Sequence, residues 1–137
     1  MFIIALVTGL VVISLPSPPD GTEGEARDIA VAANLAARAA LFEGRTHTLA
    51  VSDDAWRVRT FADGEWRDVS GAEFAAPPTL RVEGVEVELP EDLTPFVVFE
   101  PTGQATPFAL TLGRVRDYWS VVGDASADIS VEPGRAR

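Results

Sequence analysis

Residues 1–19, MFIIALVTGLVVISLPSPP, contain no charged side chain, and the acidic, alanine-rich stretch DGTEGEARDIAVAANLAARAALFEG follows at residues 20–44. The first stretch predicts an apolar helix that ends or bends at Pro16, because proline cannot occupy a helix interior. As a helix, residues 1–15 would extend about 22 Å, roughly five residues short of a bilayer core. We therefore expect a membrane-anchoring or fibre-core helix within residues 1–19, and a natural start upstream of Met1. Its bulky apolar side chains are Phe2, Ile3, Ile4, Leu6, Val7, Leu10, Val11, Ile13 and Leu15.

The second stretch predicts another helix, over residues 22–43. Thr22 and Glu25 have the spacing of a capping box, and Gly44 is a helix stop. A narrow stripe of small and apolar side chains recurs at helical spacing and predicts the packing face. This stripe consists of Ile29, Ala33, Ala36, Ala37 and Ala40.

From His47 onward the apolar period changes to two, which is typical of half-buried β-strands. Asp63-Gly64 is a strong hairpin signal, and residues 96–99 are apolar on both faces, which predicts a central strand. About eight or nine short strands follow the helix. The chain is therefore predicted to be an α+β protein, a helix packed on antiparallel β-sheets, with an apolar segment at 1–19 and a folded domain at 20–137.

Composition argues against catalysis, metal binding and nucleic-acid binding. The chain of 137 residues has no cysteine, a net charge of −10 and a single histidine, His47, so it lacks the residues of a usual zinc site. Asp53, Asp54 and Asp63 lie where turns favour aspartate, and the three tryptophans lie in strand-patterned runs that predict packing roles. We predict no enzyme activity and no cofactor.

Four stretches together indicate a family. Residues 2–16, 33–40, 51–58 and 99–108 resemble, in order and spacing, the H-type minor pseudopilins of the bacterial type II secretion system, the GspH/FimT-like group. The last stretch contains the Phe-x-Pro-x-Gly turn of that family at Phe99, Pro101 and Gly103, followed by Pro107. The basic leader and the Gly-Phe-Thr-Leu-x-Glu processing site of family precursors do not occur in these residues.

The resemblance implies a pilin-like, non-enzymatic subunit of the secretion pseudopilus. It implies a single helix held in the bacterial inner membrane before assembly and a C-terminal domain in the periplasm. The implied partners are the other minor pseudopilins and the major pseudopilin, with secreted proteins as a further candidate.

Two alternatives remain open. The tail Gly134-Arg135-Ala136-Arg137 resembles the Gly-Arg-x-Arg ending of FimT-like type IV pilus minor pilins, in which Arg135 and Arg137 would bind DNA for uptake. The net charge of −10 opposes this role, because an acidic surface repels phosphates. The other alternative is an anchored periplasmic binding domain or enzyme unrelated to fibres.

Overall fold

The computed structural model describes residues 21–114 and 117–133. The predicted apolar helix within residues 1–19 and the arginine tail at 134–137 lie outside the described residues. The elements are helix α1 (Gly21–Glu43) and strands β1 (His47–Val51), β2 (Ala55–Ala62), β3 (Glu65–Glu73), β4 (Thr79–Val82), β5 (Val85–Val87), β6 (Thr94–Phe99), β7 (Phe108–Arg114), β8 (Asp117–Gly123) and β9 (Ile129–Pro133). Within the described ranges, no helix is long and apolar enough to cross a membrane.

Helix α1 ends as predicted, but it begins differently. Gly44 adopts a left-handed φ of 68°, and its N–H donates to the Ala40 carbonyl at 3.0 Å. Gly21 is already helical in the described residues, so Thr22 lies within the helix rather than capping it. The carboxylate of Glu25 accepts a hydrogen bond from the backbone N–H of Ala75 at 3.0 Å, which ties the helix start to the β3–β4 connection.

The strands form two antiparallel sheets, with the orders β3-β2-β1-β6 and β5-β4-β7-β8-β9. Asp63 and Gly64 form the β2–β3 turn with φ angles of 54° and 81°, which is the geometry that the Asp-Gly signal predicts. Helix α1 contacts both sheets, most extensively at β8 and β9. This arrangement confirms the predicted fold class of one helix on antiparallel sheets.

The core lies between the helix and the inner faces of both sheets. Its fully buried members include Leu49, Leu80, Val97, Leu110 and Val121. In β6 and β7 the buried residues alternate with less buried ones, as expected for strands with one face on the core, whereas β1 is buried at all five positions. The two sheets therefore share one core, which also covers the inner side of α1.

The prediction of a central strand at residues 96–99 was wrong, because β6 is an edge strand. Val97 and Phe99 face the core, while Phe96 and Val98 are only half-buried on the other side. The free edge is covered by Thr106: the Val98 N–H donates to Thr106 Oγ1, and the Thr106 N–H donates to the Val98 carbonyl, both at 3.1 Å. A short loop segment thus replaces the neighbouring strand that the apolar pattern suggested.

Candidate assembly surfaces

The inner face of helix α1 is built from small residues that allow close packing. Ile29, Ala33, Ala36 and Ala40 are buried, as the sequence stripe predicted, and Ala37 is half-buried. Alanine side chains let the helix axis approach the sheets closely. Asn34 fixes this approach, since its Nδ2 donates to the Ile129 carbonyl of β9 at 3.4 Å.

The outer face of the same helix carries bulky apolar side chains that the described residues do not cover. Val31, Leu35 and Phe42 are 58%, 61% and 81% exposed. At about 100° per residue they lie roughly opposite the alanine face, along about 16 Å of helix. We call Val31, Leu35 and Phe42 the outer stripe. Such a row on a helix that is already packed is a candidate interaction surface.

The Phe-x-Pro-x-Gly motif forms the tight turn that joins the two sheets. Phe99 is 1% exposed and anchors the motif in the core. The Gly103 N–H donates to the Glu100 carbonyl at 3.0 Å, which places Pro101 at the second turn position, where its fixed φ is favoured. Gly103 has a φ of 95°, a conformation that glycine adopts without strain.

Backbone hydrogen bonds from residues that follow the turn fasten it to two other loops. The Pro107 carbonyl accepts from the Glu83 N–H of the β4–β5 turn at 3.0 Å, and the Ala105 N–H donates to the Ala125 carbonyl at 2.9 Å. Phe99, Pro101, Gly103 and Pro107 therefore belong to one structural junction. The geometry gives these motif residues a role in holding the fold.

The β8–β9 loop that meets this junction is stiffened by one carboxylate. Asp124 Oδ1 accepts hydrogen bonds from the Asp128 N–H at 3.0 Å, the Ser126 hydroxyl at 3.0 Å and the Ser126 N–H at 2.9 Å. These bonds favour the charged form, with the Asp128 N–H contributing most, so the pKa of Asp124 lies below its ordinary value of 3.8. The exposed carboxylate stays charged and holds the loop in place.

The junction is bordered by a shallow, open depression of about 320 Å³. Glu83, Glu100 and Gln104 supply its polar side chains, and small residues complete its walls. Two carboxylates do not make a divalent-cation site. In the part of the chain that the structure describes, no group of three or more metal-ligating side chains occurs.

His47 and the three tryptophans contact other parts of the fold and do not form a site. His47 is buried, with its Nδ1 3.1 Å from the Arg45 carbonyl. Trp56 is buried in the core, and the partly buried Trp119 packs against the core cluster. Trp66 pairs edge-to-face with Phe61 across the β2–β3 hairpin, with 5.1 Å between the ring centroids. The packing roles predicted for the tryptophans are confirmed.

Sequence reasoning missed the outer stripe. The signal was present, because Val31, Leu35 and Phe42 are separated by four and seven residues and so share one helix face. The alanine stripe by itself satisfies the pattern of an amphipathic helix, so the sequence does not require a second apolar face. The predicted membrane residues and Arg135 and Arg137 lie outside the described residues, and their assignments stay predictions.

Comparison of the chain with known proteins shows the family to which it is related. The family model described as Type II transport protein GspH matches residues 25–131. A comparison with curated protein sequences gave no match. The matched family range contains helix α1 from its second turn, and it extends into β9.

Solved structures of similar fold are minor pseudopilins. One structure of the minor pseudopilin EpsH from the Type 2 Secretion System of Vibrio cholerae is 14% identical, with a TM-score of 0.63 over 84% of this chain and 98% of that chain. A crystal structure of the same protein is 15% identical, with a TM-score of 0.65 over 88% and 100%. The solution structure of E. coli GspH is 20% identical, with a TM-score of 0.59 over 80% and 86%. These likenesses support the predicted pilin-like fold.

Proposed function

Because the chain belongs to the GspH family of type II transport proteins, we propose that it is a structural minor subunit of the type II secretion pseudopilus that assists export of folded proteins across the outer membrane. Its role is assembly and not catalysis. The family match supports a role in type II secretion, and the exposed outer stripe of α1 supports a role in contacts between subunits.

The outer stripe is suited to contact between fibre subunits. Helix α1 needs only its alanine face to pack on its own domain, so Val31, Leu35 and Phe42 are not required by the fold. Keeping three bulky apolar side chains in water is unfavourable, at about 25 cal/mol per Å² of exposed apolar surface. Covering them with another subunit removes that cost and adds binding energy.

The apolar segment at residues 1–19 has a role of its own in the proposed assembly. Residues 1–19 carry no charge and are separated from α1 by Asp20 alone. In our proposal they belong to a single helix that is held in the bacterial inner membrane before assembly and that then enters the core of the fibre, with the folded domain in the periplasm. A helix moving from lipid to protein exposes no apolar surface to water, so neighbouring helices can replace lipid. The partners are the other minor pseudopilins and the major pseudopilin.

The outer stripe provides the test. A strain lacking this protein is complemented with the wild-type chain, with Leu35→Asp plus Phe42→Asp, or with Val69→Asp as a control. Val69 is also exposed, at 57%, but lies on strand β3 and not on the helix. We expect the double variant to lose extracellular enzymes and the control to export normally, with immunoblots showing equal amounts of each protein. Normal export by the double variant would refute the proposal.

The same strains separate the alternative of a DNA-capturing pilin. DNA-uptake frequency is measured beside export, and the secretion role predicts that uptake is unchanged. Normal export with impaired uptake would instead support the DNA-binding role and direct mutation to Arg135 and Arg137.

A further inference from the structure

One charged side chain lies within the outer stripe. Arg38 is exposed on the same helix face as Leu35 and Phe42. Helical neighbours three and four positions away are Asn34, Leu35, Leu41 and Phe42, so no carboxylate stands within reach along the helix. In a chain with 21 acidic residues, this cation has an entirely uncharged helical neighbourhood.

The other arginine of the helix is paired. Arg27 contacts the Glu23 carboxylate at 2.6 Å, one turn away. Arg38 makes no hydrogen bond or ion pair within residues 21–114 and 117–133. Covering the outer stripe would remove water from an unpaired guanidinium, which is strongly unfavourable unless the covering surface provides an opposite charge.

We propose that the outer stripe binds a helix of a different pseudopilin, and that this helix carries a carboxylate, flanked by aliphatic side chains, that pairs with Arg38. The proposal rests on the assembly role proposed above and names the partner of that same surface. The apolar side chains of the outer stripe provide the contact area. The ion pair of Arg38 selects the partner and fixes the register of the partner helix along α1. A guanidinium fork suits this task, since it can bind a carboxylate through two parallel hydrogen bonds.

A second copy of this chain fits the surface poorly. Two outer stripes packed parallel and in register bring two Arg38 guanidinium groups into one contact, and like charges repel. Residues 1–19 of another copy contain no carboxylate to offer. The charge pattern therefore favours a different subunit, in a heterologous contact of the kind that extends a filament.

Copurification tests the pairing. The tagged full chain is co-expressed with the other pseudopilins of its secretion system, extracted in mild detergent and assayed for bound subunits. We expect Arg38→Leu and Arg38→Glu to reduce recovery of one partner at least about tenfold, because a buried carboxylate then lacks its counter-charge. Arg38→Lys should retain part of the binding. Arg27→Leu is the matched control, since it removes the same charge from the same helix, and it should bind normally.

Charge reversal identifies the carboxylate. In the pseudopilin whose recovery falls with the Arg38 variants, each acidic residue of the helix is changed in turn to Arg. One of these changes should restore binding to the Arg38→Glu variant and should weaken binding to the wild-type chain. Circular dichroism and thermal unfolding of each variant check that this exposed position leaves the fold intact.

The outcomes separate this inference from the proposed function. If Leu35→Asp abolishes recovery while Arg38→Leu binds as well as the wild type, the stripe is an apolar contact and the carboxylate proposal is wrong. If a differently tagged second copy of this chain is the partner that Arg38→Leu loses, the heterologous partner is wrong. If neither variant affects recovery or export, the assembly role itself fails.

Discussion

Phe99 offers the sharpest test of whether the Phe-x-Pro-x-Gly motif holds the fold. We expect Phe99→Ala to lower the free energy of unfolding by about 3–5 kcal/mol, the usual cost of deleting a fully buried phenylalanine. Phe99 is 1% exposed, and it pairs with His47 across the β1–β6 ladder. Its ring is therefore almost completely removed from water in the folded protein.

The magnitude follows from the buried ring. A phenylalanine buries about 150–250 Å², and at about 25 cal/mol per Å² this corresponds to roughly 4–6 kcal/mol, of which alanine keeps a small part. Domains of this size are stable by about 5–15 kcal/mol in total. The substitution thus removes a large share of the stability, and the melting temperature should fall by more than about 10 °C.

The chain offers a matched control in Phe61, which is 44% exposed and contacts Trp66 on the hairpin. Phe61→Ala should cost about half as much as Phe99→Ala, because nearly half of this side chain already contacts water and only the remainder contributes to the area term. Both variants of the full chain are unfolded by denaturant in mild detergent and compared with the wild type. Equal losses for the two variants, or a loss under about 1 kcal/mol for Phe99→Ala, would refute the structural role of the motif.

Two further predictions concern the β8–β9 region. Gly123→Ala would place a Cβ 2.5 Å from Cε1 of Phe108, so we expect a loss of about 1–3 kcal/mol in denaturant unfolding; an unchanged midpoint would show that the ring moves freely. The pKa of Asp124 in the folded protein is lower than the ordinary value of 3.8. The stability that its charged carboxylate contributes is therefore present above the ordinary pKa, and it is lost as the pH falls through the folded-state pKa. Asp124→Asn should therefore remove part of the acid dependence measured below about pH 5, and identical pH profiles for the two proteins would contradict this.

Local patterns predicted most of the secondary structure, because short-range chemistry determines it. Gly44 ends the helix through its own backbone conformation, and Asp63-Gly64 makes its turn without help from distant residues. The order of strands depends on pairings such as Leu49 with Val97, which are far apart in the sequence and leave no local signal. The edge position of β6 could not be predicted for the same reason, since a hydroxyl and an amide from Thr106 cover it.

The candidate surface was missed for a different reason, and that reason is informative about function. A helix that serves only its own domain needs one apolar face, and α1 meets that need with alanines such as Ala33 and Ala36. Apart from the buried Ile29, the bulky apolar side chains Val31, Leu35 and Phe42 are on the opposite face, where they make no buried contact with the domain. When alanines line most of the buried face and bulky side chains are exposed on the same helix, the inner face is shaped for close approach and the outer face for contact area. A sequence that places bulky apolar side chains on the outside of a packed helix is therefore best explained by contact with another subunit, as proposed above.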